Sequence, residues 1–123
     1  MTNSRRKGAE GEREAAHALT EVYGCPCRRG QQFAGGPDSP DVLGVPGLHF
    51  EVKRTEKFSI YKAMAQAIRD AGDRVPVVLH RNNGGEWLHV MRLADTRNYL
   101  DAAVAAIDGE PTTADEANQE GGG

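Results

Sequence analysis

Leu48-His49-Phe50-Glu51-Val52-Lys53-Arg54 alternates apolar and polar side chains, the period-two signature of a strand. Side chains two apart on a strand share a face. Leu48, Phe50 and Val52 therefore face a core, and His49, Glu51 and Lys53 line the opposite side together. Upstream, Asp41-Val42-Leu43-Gly44-Val45 is a second short strand, and Val45-Pro46-Gly47-Leu48 carries the residues of a turn. Folded as a hairpin, the two strands bring Asp41 to Glu51 and Lys53. Two carboxylates and an ammonium then meet on one surface.

The rest of the chain supplies the elements around this hairpin. Residues 8–23 place Ala9, Ala15, Ala16, Leu19, Val22 and Tyr23 at helical spacing, and Gly24 is a stop signal. Residues 25–33 read as a strand and 34–40 as a Gly/Pro loop. A second helix starts near Ser59, with Ile60, Ala63, Met64, Ala67, Ile68 and Ala71 as its apolar stripe and Gly72 as its end. Residues 75–80 form an apolar strand, Asn82-Asn83-Gly84-Gly85 a hairpin turn and residues 86–91 the returning strand. A third helix is capped by Asp95 or Thr96 and expected to bury Tyr99, Leu100, Ala103, Val104 and Ile107. Helix, three strands, helix, two strands and helix make an α/β fold with a mixed sheet. The domain is expected over residues 1–107, followed by an acidic, Gly-ending disordered tail over 108–123.

At 123 residues, one domain is expected. Hydrophobic content of 38% and charged content of 27% are those of a globular chain, which argues against disorder of the whole. No apolar run suits a membrane span, and the basic N-terminus has no apolar segment behind it, so a cytoplasmic location is expected. Cys25 and Cys27 are expected to be reduced, partly buried thiols, since two ligands do not complete a zinc site. The net charge of −3 is unevenly distributed: five acids fall within 108–123, leaving 15 bases against 13 acids before it, a net of +2. Bases cluster at Arg5-Arg6-Lys7, at Arg28-Arg29 and at Lys53-Arg54. They form a mild basic footprint suited to phosphate contacts.

Phosphodiester hydrolysis needs an activated water and neutralised phosphate charge, both of which Mg2+ supplies when held by one or two carboxylates. Asp41 and Glu51 fit as those carboxylates, the Val52 carbonyl as a further oxygen ligand, and Mn2+ should substitute. Lys53 is placed to orient the water and stabilise developing charge. Glu12, three residues after Ala9 and four before Ala16, falls near the apolar side of the first helix. It reads either as an inward acid completing the site or as a surface or capping glutamate.

Pro40-Asp41 followed by Glu51-Val52-Lys53 resembles the PD-(D/E)XK nuclease superfamily. Lys7-Gly8 followed by Glu12-Arg13 is similar to the archaeal-type Holliday-junction resolvases and small phage-borne endonucleases within it, and Gln66 matches a polar position of that group. The resemblance spans roughly residues 5–92. It implies a restriction-endonuclease-like three-layer αβββαβ core, here with an extra hairpin strand and C-terminal helix. It also implies Glu12, Asp41 and Glu51 as metal ligands, Lys53 as the catalytic lysine and Gln66 as a supporting or phosphate-contacting group. Branched DNA is the implied substrate, in recombination, repair or phage DNA processing, with a homodimer as the implied assembly. A structure-nonselective nuclease of the same superfamily and a non-cleaving DNA-binding module are the alternatives. The serine-containing loop typical of the archaeal resolvases is not recognisable.

Overall fold

The structure, a computed structural model, describes residues 2–30 and 41–109, with side chains from residue 8 onward. The expected loop at 34–40, including Pro40, the side chains of Arg5, Arg6 and Lys7, and the tail from 110 lie outside the described residues. The elements run α1 (Thr2–Tyr23), β1 (Arg28–Arg29), β2 (Val42–Leu43), β3 (Leu48–Lys53), α2 (Ile60–Ala71), β4 (Val75–His80), β5 (Leu88–Val90), a short 3-10 turn (Leu93–Asp95) and α3 (Thr96–Ile107). Among the described residues the strands form one five-stranded mixed sheet in the order β1-β2-β3-β4-β5. β3 and β4 pair in parallel and the other neighbours antiparallel. The fold is therefore α/β.

The alternation of β3 explains the layering. Leu48 and Phe50 join Val75, Val77 and Leu79 of β4 on one face, packed against Ala15, Ala16, Leu19 and Tyr23 of α1 and Ala103 of α3. Val78 points to the other face, where Ala63, Met64 and Ala67 of α2 cover it. β3 and β4 are thus buried on both sides. His49 and Glu51 are buried too, at 0% and 4% exposure, although a surface-exposed strand would have left them in water. α2 ends at Gly72, whose φ of 62° is a conformation open to glycine at little cost. Gly24, at φ 72°, closes α1 with its N–H on the Thr20 carbonyl.

Several expectations change, among them the strand expected over residues 41–45, which is seen as Val42–Leu43. α1 begins at Thr2, earlier than residue 8, and β5 is shorter than residues 86–91. The third helix is turned differently: Leu100, Val104 and Ile107 are each more than half exposed, and Val22 of α1 is 67% exposed. Ala103 is buried and Tyr99 partly so, as expected, and Ala102 and Ala106 take the place of the larger side chains beside them. The Ala102 methyl comes close to the 45–47 turn, where a Cβ on Gly47 would sit 3.4 Å from it. Close approach favours the alanine line over the larger side chains beside it, a choice that periodicity alone does not make. The expected strand at 25–33 is seen within the described residues as β1.

α1 meets β3 at Gly11. A Cβ there would lie 2.7 Å from the Arg54 Cβ, an atom too near the backbone to swing away. Gly11→Ala gains about 1 kcal/mol of helix propensity but incurs an overpacking cost of about 1–3 kcal/mol. A net loss of stability is expected, seen as a thermal midpoint lowered by several degrees. An unchanged or raised midpoint would mean that α1 does not seat on β3 in this way.

Candidate metal and catalytic centre

The hairpin between β2 and β3 positions the first carboxylate. Val42 pairs with Phe50, and the Asp41 N–H donates to the Phe50 carbonyl at 2.9 Å. The next N–H that an extended ladder would engage, that of Val52, donates to the Asp41 carboxylate at 2.7 Å. Asp41 therefore carries the β2–β3 pairing on through its side chain. Burial, the neighbouring Glu51 carboxylate and, more weakly, Glu12 push the Asp41 carboxyl up to about 7, against the pull of the Val52 N–H and Lys53. Asp41 thus feels both other acids, although Glu12, Asp41 and Glu51 do not gather within 4.8 Å of one another.

On the face covered by α2, a hydrogen-bonded row runs through the core of the site. His49 Nε2 lies 3.2 Å from Glu51 Oε1. Gln66 Nε2 donates to Glu51 Oε2 at 3.0 Å, and Lys53 Nζ donates to Gln66 Oε1 at 2.9 Å. The chemistry of its neighbours fixes the Gln66 amide: its NH2 must face the carboxylate and its carbonyl the ammonium. Gln66 reaches both because α2 lies across β3, and Glu51 and Lys53 are two apart on one strand face. A buried carboxylate is tolerable only when so partnered.

The remaining candidates divide. Glu12 comes near Asp41, but its Oε1 accepts from Arg29 Nε at 2.7 Å, with 14% of the Glu12 side chain exposed. Arg54 is turned inward: its Nε donates to Glu14 at 3.1 Å and its Nη1 to Asn83 at 2.9 Å. Arg81 also donates to Glu14, at 3.0 Å, so Glu14 ties α1 to the ends of β3 and β4. Arg28 is exposed. His80 stacks on Phe58 with ring centroids 3.9 Å apart and bonds the Thr55 carbonyl. His89 lies 3.3 Å from the Tyr23 hydroxyl. Trp87 packs against the main core and lines an apolar pocket of about 310 Å3 with Leu19, Tyr23 and Tyr99. Cys25 and Cys27 are free thiols, half-buried, and burial pushes Cys27 up to about 11, which removes thiolate character at neutral pH.

Among the described residues, the acid and histidine donors that converge to within 4.8 Å of one another belong to His49, Glu51 and Asp70, a cluster that could hold a metal ion. Sequence spacing around Glu51 does not by itself point to Asp70. The signal was present: it lies four residues after Gln66, one turn along the same side of α2. No protein-family model, curated protein or solved structure matches the chain.

The raised Asp41 pKa has a stability consequence with a definite sign. Its folded value of about 7 exceeds the ordinary 3.8, so the contribution is intact below the unfolded pKa and lost as pH rises to about 7. In chelator, Asp41→Asn should therefore stabilise the protein at pH 8, by on the order of 2–4 kcal/mol, with the advantage vanishing near pH 4. Denaturant unfolding at both pH values measures it. Equal effects at the two pH values would contradict the crowding.

Proposed function

We propose that the chain is a divalent-metal-dependent endonuclease of the PD-(D/E)XK type that hydrolyses DNA phosphodiester bonds, with branched DNA as substrate. The observation that carries the proposal is the row Lys53–Gln66–Glu51, together with Asp41 bound through its carboxylate to the Val52 N–H of the same strand. The α/β fold with a mixed sheet, helices on both faces and a parallel β3–α2–β4 unit is compatible with the nuclease core that the sequence resembles.

The donor set fits a hard cation: Asp41 and Glu51 offer carboxylate oxygens, and their mutual repulsion is relieved by positive charge between them. Asp41 and Glu51, with the Val52 carbonyl, would hold Mg2+, with Mn2+ as a substitute. Glu12 is available as a further ligand if Arg29 turns from it to a phosphate. The bound ion supplies charge neutralisation and an acidified water.

The protein's own groups do the positioning. Lys53 gives one of its three N–H donors to Gln66, which fixes the direction of the ammonium, and its other donors suit a phosphate oxygen and the attacking water. Held near Asp41 and Glu51, the ammonium stabilises the charge that develops on the scissile phosphate. Gln66 keeps carboxylate and lysine in one geometry through bonds to two charged groups, each worth about 1.5–3 kcal/mol. His49 restrains the other Glu51 oxygen. Arg28, exposed on β1, and the Arg5-Arg6-Lys7 cluster would supply contacts to the DNA backbone. Two nicks at a junction would require two copies of the chain.

The test is cleavage of end-labelled four-way junction, flap, linear duplex and single-stranded DNA in Mg2+, Mn2+ or EDTA. Metal-dependent paired nicks on the junction are expected. Cutting of every substrate would identify a nonselective nuclease, and binding without cutting would establish a DNA-binding module. Glu51→Gln and Lys53→Ala should abolish cleavage while DNA binding persists. Gln66→Leu should lower kcat about 10- to 100-fold, the effect of roughly 1.4–2.7 kcal/mol in the barrier. Full activity in either of the first two would refute the assigned site.

A further inference from the structure

His49 presents a problem that the nuclease reading leaves unsolved. Its ring is 0% exposed, yet its Nδ1 has no hydrogen-bond partner among the described residues. Leaving a buried polar atom unpaired is costly, and packing alone gains nothing from it. His80 also has an unpaired Nδ1, but its ring is stacked on Phe58 and its other nitrogen meets a carbonyl. His49 alone of the two converges with carboxylates.

We infer that His49, Glu51 and Asp70 form a site for a borderline divalent transition metal, zinc being the expected ion, on the α2 side of Glu51 and sharing that carboxylate with the hard-cation centre at Asp41. An imidazole nitrogen with two carboxylates suits zinc or cobalt, whereas Mg2+ prefers oxygen alone. Three protein ligands and a water complete a tetrahedral shell. Neighbouring donors on zinc lie about 3.4 Å apart, so donors spread over as much as 4.8 Å must draw in by about an ångström. Asp70 can do so: it is half-exposed in the last turn of α2, and this exposure also gives the ion its entry. The bound ion would tie α2 to β3 and engage Glu51, the carboxylate that the hard-cation centre also needs. Zinc would then inhibit cleavage while binding tightly, a consequence that rests on the proposed nuclease function; the binding itself does not.

Cobalt titration of the full chain separates the two. With Co2+ at neutral pH, visible d–d bands of a low-symmetry site should appear without a thiolate charge-transfer band. Asp70→Asn, a surface isostere checked for folding by circular dichroism, should weaken the affinity by at least 10-fold. Cys25→Ser/Cys27→Ser should leave it unchanged, and zinc should displace the cobalt where equimolar Mg2+ does not. Absence of the bands, bands that survive Asp70→Asn undiminished, or bands lost with the cysteines would overturn the site. In a cleavage assay, zinc inhibition should be at least 10-fold weaker in Asp70→Asn. If no cleavage is found under any condition, the nuclease reading fails and the cobalt result still decides the metal site.

Discussion

Glu51 is a carboxylate buried almost completely on a central strand, and the rest of the site is arranged around keeping it there. An unpartnered ionised carboxylate in that position would be unaffordable. His49 and Gln66 each take one of its oxygens, and Gln66 passes the interaction on to Lys53. The helix that carries Gln66 is held on the sheet by Ala63, Met64 and Ala67 packing on Val78. Hydrophobic burial of α2 thus sets the position of the polar row, and the polar row sets the separation of carboxylate and ammonium.

On the other side of β3 the constraint is steric. α1 approaches closely only because residue 11 is glycine, and this approach carries Glu12 toward Asp41 and Glu14 onto Arg54 and Arg81. The two acids have different uses. Glu14 is a fastener between elements, bridging two guanidinium groups. Glu12 is held, among the described residues, by a single one, that of Arg29, whose side chain is 35% exposed. An ion pair that accessible is weak enough to be exchanged for a phosphate or a metal.

The alternation over residues 48–53 was sufficient to place Glu51 and Lys53 on one face with His49, and the Pro-Gly turn sufficient to bring Asp41 alongside. These are local signals, and local geometry enforces them. The apolar stripe of α2 was legible for Ala63, Met64, Ala67 and Ala71, while Ile60 and Ile68 flank it in partial exposure. The rotation of α3 was not legible, because a helix with both a large-residue and an alanine stripe can bury either, and proximity to the 45–47 turn decides. Nor could the sequence show that Arg54 would turn inward: its partner Glu14 lies 40 residues away. The convergence of Asp70 with His49 and Glu51 likewise depends on how α2 crosses the sheet.

The central claim is that Asp41 and Glu51 together form a centre for a hard divalent cation. Crystals grown or soaked with Mn2+ and measured at its absorption edge would locate the ion directly. The account predicts an anomalous peak between the Asp41 and Glu51 carboxylates that disappears in Asp41→Asn. A peak confined to other oxygens of the protein, with none at Asp41, would contradict it.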